Sequence, residues 1–538
     1  MDLIERFVPL KKDFSSYDDF YKNFKLDIPA DFNFAYDVVD FYAQNEPDKT
    51  ALVWCNDEGE EKRFTFKQIA QESERAAAFL YSLGVRQNDV VMLSLHRRYE
   101  FYFFLLALHR MQAIALPVSS QLVRSELEYR IKESCPRVIV AAPYEDSVTQ
   151  IEMAAGSLKD ISLVAVNFTG EVWHTYDENT KVPIVNFTKT PDFKAADTPM
   201  LLYFTSGTEG EPKIVAHDYR YPLSHIITAK YWQRVVPQGL HYTVAETGWA
   251  KAGWGKLYGQ WICGSAVFMY DRHGFNPDNI LHKIAACKVT SFCAPPTIYR
   301  YLVMQDFTPY DLSSLKACSA AGEPLSSLVV KAFYEKTGLV IYEGYGQTET
   351  ALLTGAFPFE GSLPEENCMG RASPLYELSL EDDEIVINLK NGRPAGLFTG
   401  YYKNPELTQK VFKDGKYHTG DLAKMDSLGY LHFTGRKDDM IKASGFRISP
   451  HEVEVVIEKN PAVEECMVYG EPDEKRGQTV CAAVVLKKGF TPSVELERQL
   501  IDFTRQNTAL YNCPRKITFV KELSKTYNGK IKRGGFKK

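Results

Sequence analysis

From about residue 35 to about residue 300, short runs of apolar and β-branched residues alternate with amphipathic helical patterns. Strands separated by helices are joined by crossovers, and crossovers favour parallel pairing. The alternation therefore predicts an α/β architecture, with mixed and largely parallel sheets flanked by helices. "RFTFKQIAQESERAAAFLYSLGV" (63–85) passes from a short strand into a helix, with Thr65 and Gln68 at capping-box spacing and Gly84 closing it. "DVVMLSL" (89–95), "RVIVAA" (137–142), "SLVAV" (162–166) and "SAVFMY" (265–270) read as buried strands.

A chain of 538 residues exceeds one ordinary core, so two or more domains are expected. The pattern changes after residue 370. "ELSLEDDEIVINL" (377–389) and "GYLHFTG" (429–435) read as antiparallel strands, and "TGRKDDMIKASG" (434–445) as a charged, loop-like boundary. Beyond it, "VEECMVYGE", "TVCAAVVLKKG", the helix "VELERQLIDFTRQN" and "KITFVKEL" predict a small α+β domain. The expected division is 1–435 and 436–538.

With 45% hydrophobic and 25% charged residues, the chain has the composition of a soluble globular protein. A net charge of −6 gives no general attraction to nucleic acid or anionic membranes. "FYFFLLAL" (101–108) is too short to span a bilayer and reads as a buried helix. The ten cysteines are scattered without a CxxC, which signals neither a zinc site nor a disulfide framework. "MDLIERFVPLKKDF" lacks the apolar core of a secretion signal. A reducing cytoplasmic setting is expected.

Residues 203–215, "YFTSGTEGEPKIV", form a small-residue loop of the kind that lets backbone N–H groups approach an anion. The loop departs from the common phosphate-loop pattern. Gly207 and Lys213 are one residue too far apart, Pro212 precedes the lysine, and Ile214 replaces the metal-binding hydroxyl. Alone it is a surface turn. Behind it stand "SAAGEPL" (319–325), "YEGYGQTET" (342–350), "YHTGD" (417–421), "GRKDDMIKASGFRISPHEVE" (435–454) and "NGKIKR" (528–533). Each singly reads as a turn, a core aromatic or a solvated charge.

All six in this order resemble the adenylate-forming superfamily of acyl-CoA synthetases, luciferases and peptide-synthetase adenylation domains, along nearly the whole chain. "GQTE", "CAPPTIYRYL" and "FKDGKYHTGD" are most similar to the medium-chain acyl-CoA synthetase branch. The resemblance implies two steps. A carboxylate attacks the α-phosphate of Mg·ATP to give acyl-AMP and pyrophosphate. The thiol of coenzyme A then displaces AMP.

The resemblance also implies roles. Thr205, Ser206, Gly207, Thr208, Gly210 and Lys213 hold the β- and γ-phosphates, with Glu209 turned to solvent or assisting a metal. Gly322, Glu323 and Pro324 form the adenine wall, beside Glu343, Gly344, Tyr345, Gly346, Gln347 and Thr348. In that segment Tyr345 stacks on the ring and Thr348 donates to the α-phosphate. Asp421 accepts both ribose hydroxyls, Arg436 and Arg447 meet ribose and phosphates, and Glu349 holds Mg²⁺. Lys530 neutralises the α-phosphate under attack. Asp438 is the hinge about which the small domain turns between steps, bringing Ser444, Gly445 and Phe446 to the site. Arg476 and Gln121 fall where the medium-chain branch meets coenzyme A.

Acetate-activating relatives carry Trp immediately before "QTE", where this chain has Gly346. Loss of the indole is expected to free room for a longer acyl chain, each buried methylene being worth about 0.8 kcal/mol. Trp249 is expected to line or gate that pocket, and Trp254 to be a core residue or a second wall. The expected substrate is a medium-length, branched or aromatic acid rather than acetate. No nucleic acid or membrane span is expected, and the particle is a monomer or homodimer. Two other readings share the motifs: an adenylating enzyme that loads a carrier protein, and a non-catalytic nucleotide-binding scaffold. A third, a nucleic-acid protein, has only the basic tail after 521 in its favour.

Overall fold

The structure is a computed structural model that describes residues 3–156, 161–205, 211–359, 368–443, 446–473, 477–525 and 531. It divides into two compact units. The first comprises Met1–Thr205, Lys213–Glu377 and Asn391–Lys410; the second takes in Leu378–Lys390 and the chain from Val411 on.

Two sheets of parallel strands build the first unit, as the alternation predicts. In one, Pro199–Thr205, Ile114–Pro117, Val90–Ser94, Val138–Ala141, Ser162–Val166 and Trp173–Tyr176 lie side by side and parallel. Lys213–Asp218 and Gly400–Tyr401 are added antiparallel at one edge. In the other, Ile341–Tyr345, Ala317–Ala321, Ser291–Ala294, Leu240–Thr243, Ala266–Asp271 and Thr50–Asn56 are parallel, with antiparallel strands at both ends.

The helix Phe66–Ser82 begins with the expected reciprocal capping by Thr65 and Gln68, and Gly84 follows it at φ +86°. The helix Glu100–Met111 is buried at every residue, so its apolar surface is covered all round. Its one arginine, Arg110, is 2% exposed, and Nη1 donates to Asp40 Oδ2 at 2.8 Å while Nε donates to Ser73 Oγ at 2.8 Å. A charge enclosed this far needs such partners. Four histidines, His109, His217, His225 and His241, are wholly enclosed as well.

In the second unit, Glu384–Asn388, Lys416–Met425 and Leu431–Arg436 form an antiparallel sheet. A further sheet joins Ile441–Ala443, Phe446–Ile448, Val463–Asp473, Gly477–Leu486 and Lys516–Phe519, covered by helices Pro450–Glu458 and Val494–Asn507. The stretch from 434 is not the loop that its charge suggested. Strand pairing runs to Arg436, a 3-10 turn spans Lys437–Asp439, and a new strand begins at Ile441. Cross-strand pairing of Arg436 with Asp421 extends the ladder where the sequence shows only charge. The position 435/436 falls within this second unit.

Candidate active site

Of the sequence-predicted groups of the first unit, Thr205 and residues 322–324 and 345–349 stand at or just beyond the carboxyl ends of its strands, where open parallel sheets leave loops free to bind ligands. Thr205 ends one strand and Lys213 begins the next, paired opposite each other in an antiparallel ladder. A strand, not a helix, follows the glycine-rich segment at Lys213, which sets it apart from the common phosphate loop. Ser206, Gly207, Thr208, Glu209 and Gly210 lie outside the described residues.

Lys213 Nζ sits 5.4 Å from the Tyr401 ring centroid, and the Tyr401 hydroxyl donates to Glu349 Oε1 at 2.9 Å. One aromatic ring therefore joins the loop's lysine to the carboxylate expected to hold Mg²⁺. Tyr401 went unnoticed in the sequence; its signal is an aromatic pair after the glycine of "FTGYY". It is positioned by pairing with Val215 on the lysine's own strand.

The "QTE" turn is fixed from beneath. Gln347 N–H donates to Thr350 Oγ1 at 3.0 Å, and His217 Nε2–H donates to the Thr348 carbonyl at 2.8 Å. Burial pushes the His217 imidazole down to about 3, so the ring is neutral, with its Nδ1 enclosed and without a partner. His217 is a second residue that local pattern could not flag.

On the adenine side, Gly322 takes φ +112°, which suits glycine. Glu323 turns its carboxylate to the start of the helix Pro296–Leu302, accepting from the Thr297 N–H at 2.7 Å and from its hydroxyl. Its side chain fastens the loop, leaving the backbone as the wall, with Pro324 next in line. Lys251 Nζ donates to the Ala321 carbonyl at 2.6 Å and ties the helix Ala250–Gly255 to the same loop. Tyr345 is half-buried at the end of its strand.

Glu343, on that strand, is enclosed, and burial pushes its carboxyl up to about 8 despite a backbone bond at Leu325. The folded chain thus holds a proton that the unfolded chain releases near 4.5. This contribution is complete below the unfolded value and is lost as pH rises towards the folded one. Relative to the unaltered protein, Glu343→Gln is therefore expected to gain stability as pH rises from about 5 to about 8, with a difference of a few kcal/mol at the upper end. Parallel Tm–pH curves for the two proteins would refute this.

The expectation for Gly346 is corrected. A Cβ there would stand 2.4 Å from the Ala351 carbonyl oxygen and 2.5 Å from Trp254 Cη2. The space that a side chain at 346 would occupy is already filled by the Trp254 indole, arriving from another element. Trp254 is 7% exposed and meets Trp232 edge-on at 6.3 Å, so it is a core residue. Gly344 is closed likewise, with a Cβ meeting Trp232 at 2.6 Å. Trp249 is half-buried where the helix Ala250–Gly255 begins. Gln121 N–H donates to Ser119 Oγ at 3.3 Å.

In the second unit, Asp421 is 4% exposed, and Arg436 Nη1 donates to its Oδ1 at 3.0 Å across the ladder. Glu384 steadies this corner, accepting from Gly420 N–H at 2.9 Å and Lys437 Nζ at 2.7 Å. Asp438 is exposed on the turn that follows. Phe446 stacks on Tyr511 with ring centroids 4.4 Å apart. Arg447 pairs with Lys442 in the backbone, and its side chain lies outside the description. Lys530, Ser444, Gly445 and Arg476 lie outside the described residues.

Residues 39–397 match the family model described as AMP-binding enzyme, and 452–530 match that of the AMP-binding enzyme C-terminal domain. The mitochondrial acyl-coenzyme A synthetase ACSM3 of Homo sapiens is 35% identical over 553 residues, covering 98% of this chain and 93% of the relative. The mitochondrial acyl-coenzyme A synthetase ACSM5 of Rattus norvegicus is 35% identical over 535 residues, covering 95% and 91%. Among solved structures, the anthranilate CoA ligase AuaEII in complex with anthranoyl-AMP has a TM-score of 0.80 at 28% identity, covering 94% of this chain and 96% of that one.

Proposed function

The chain belongs to the AMP-binding enzyme family, and on that premise we propose that it activates a carboxylic acid with ATP and passes the acyl group to coenzyme A. It is an acid–thiol ligase of the AMP-forming type. The observation that supports this reading most directly is the joining of Lys213 to Glu349 through Tyr401. A cation for phosphate oxygens and a hard carboxylate for a metal are brought to one aromatic ring.

Each residue's work follows from its chemistry. Lys213 draws the outer phosphates, while the loop 322–324 and Tyr345 hold the base. Asp421 takes the ribose hydroxyls, with Arg436 as its partner when they are absent. Glu349 would hold Mg²⁺, which would screen phosphate charge. Among the described residues no group of three or more metal-binding side chains occurs, which suits an ion that keeps waters and phosphate oxygens as ligands. Lys530 neutralises the α-phosphate as the carboxylate attacks. Rotation about Asp438 then admits the thiol, and Gly445 leaves a path for the pantetheine arm.

The acid proposed is a medium-length, branched or aromatic one rather than acetate, a choice supported by the likeness to an anthranilate CoA ligase and not by room beside Gly346, which the Trp254 indole fills. A pyrophosphate-release screen across carboxylic acids, with and without coenzyme A, is the test. Butyrate through octanoate and benzoate-like acids are expected to exceed acetate, with free acyl-CoA released without a carrier protein. Faster turnover of acetate, or product only in the presence of a carrier, would overturn this.

A further inference from the structure

The helix Ala250–Gly255 lies across the carboxyl ends of two neighbouring strands and brings a different group to each. Lys251 reaches the strand Ala317–Ala321, where its Nζ donates to the last carbonyl, that of Ala321, at 2.6 Å. Trp254, three residues on and so on the same face, reaches the segment after Ile341–Tyr345, 2.5 Å from where a Cβ on Gly346 would stand. The two strands pair in parallel, with Ala321 opposite Gly344. The ammonium is therefore held at the level of the strand ends. It is half-buried there and lies 3.9 Å from where a Cβ on Gly322 would project. Glu323, the acid of the same loop, gives its carboxylate to Thr297 instead.

The reaction proposed above needs a cation at such a point. A carboxylic acid, with an ordinary pKa of about 4, arrives ionised at neutral pH and has to approach a phosphorus surrounded by anionic oxygens. Like charges a few ångströms apart repel strongly where water is thin. In that reading Lys213 serves the outer phosphates, Lys530 the α-phosphate and Arg436 the ribose corner. None of them is assigned to the acid. Lys251 adjoins Gly322 of the expected adenine wall and follows Trp249, expected at the acyl pocket, by two residues. It stands where nucleotide and acyl group have to meet, and an ammonium on a long stem is a compact charge able to follow a carboxylate.

We propose that the Lys251 ammonium binds the carboxylate of the incoming acid and aims one of its oxygens at the α-phosphorus. This rests on the acyl-CoA synthetase reading above. That oxygen forms the new bond to phosphorus. The bond from phosphorus to the bridging oxygen breaks, and pyrophosphate leaves with the electron pair. Lys251 keeps its proton throughout, and the Ala321 carbonyl fixes the ammonium against the strand end.

Lys251→Met keeps the reach of the side chain and removes its charge. It is expected to raise the KM for the acid in pyrophosphate release by about tenfold or more, as for loss of a hydrogen bond to a charged group, with the KM for ATP moved less than about twofold. Lys251→Gln keeps an N–H donor for Ala321 without the charge, and the same loss is expected. Competition by the primary amide of the acid separates binding of the carboxylate from support of the helix. The unaltered enzyme should prefer carboxylate to amide by about the same tenfold factor, and both variants should bind the two alike. Lys251→Arg should keep part of the preference.

An unchanged KM for the acid in the neutral variants overturns the proposal. So does an equal weakening of acid, amide and ATP, which would make Lys251 a support for the loop alone. An effect confined to dicarboxylic acids would place the ammonium on a second, distal carboxylate and overturn it too. If the unaltered enzyme releases no pyrophosphate with any acid, the fault lies in the acyl-CoA synthetase reading itself.

Discussion

Lys530→Ala is expected to slow acyl-adenylate formation by about a hundredfold or more, because it removes a charge on the order of 3 kcal/mol at the phosphate under attack. The two half-reactions separate this effect from loss of folding. Adenylation, followed by pyrophosphate release, should collapse. Thioester formation from supplied acyl-adenylate should fall far less, since the phosphorus–oxygen bond to be made already exists. Lys530→Arg keeps the charge but widens and lengthens the group, so a partial rate is expected. Equal losses in both half-reactions would remove the lysine from its assigned role.

Gly346→Trp is the second large effect, and its sign differs from what the motif alone suggests. Acetate-activating relatives carry an indole at this position, so the substitution looks like a route to a smaller pocket. Here the volume is occupied, with the Ala351 carbonyl and the Trp254 ring both within 2.5 Å of where the first carbon would go. Overpacking of this kind costs about 3 kcal/mol or more when backbone is among the obstacles. The single variant is expected to lose stability and turnover on every acid, acetate included. Gly346→Trp combined with Trp254→Gly relieves the ring contact but leaves the approach to the Ala351 carbonyl, so it should recover part of both. Thermal unfolding and the acid panel measure the coupling, and additive losses would show that the two positions do not share one space.

The periodicity carried the fold well. Residues 66–82, with the Thr65–Gln68 cap and Gly84 behind them, announce a helix locally, and the strand runs at 90–94 and 138–141 need only their apolar side chains. The short motifs named the groups at the strand ends. What stayed hidden depends on register between distant segments. Trp254 reaches Gly346 and Tyr401 reaches Glu349 across long stretches of chain, while His217 holds Thr348 through a strand whose spacing marks only its buried face. Charge density at 434–443 suggested a loop because a cross-strand pair such as Asp421 and Arg436 leaves no mark in either segment alone.

The four enclosed histidines set a limit on where this molecule can work. Burial first, and for some of them neighbouring rings or cations, hold His109, His217, His225 and His241 at about 3. An unfolded chain would protonate them near 6.5. Each unit fall in pH below that value favours disorder through all four rings, with the proton held by Glu343 offsetting one of them down to about 4.5. Mild acid should therefore loosen the molecule from within, starting from rings that no solvent touches, before any surface carboxylate has changed its charge.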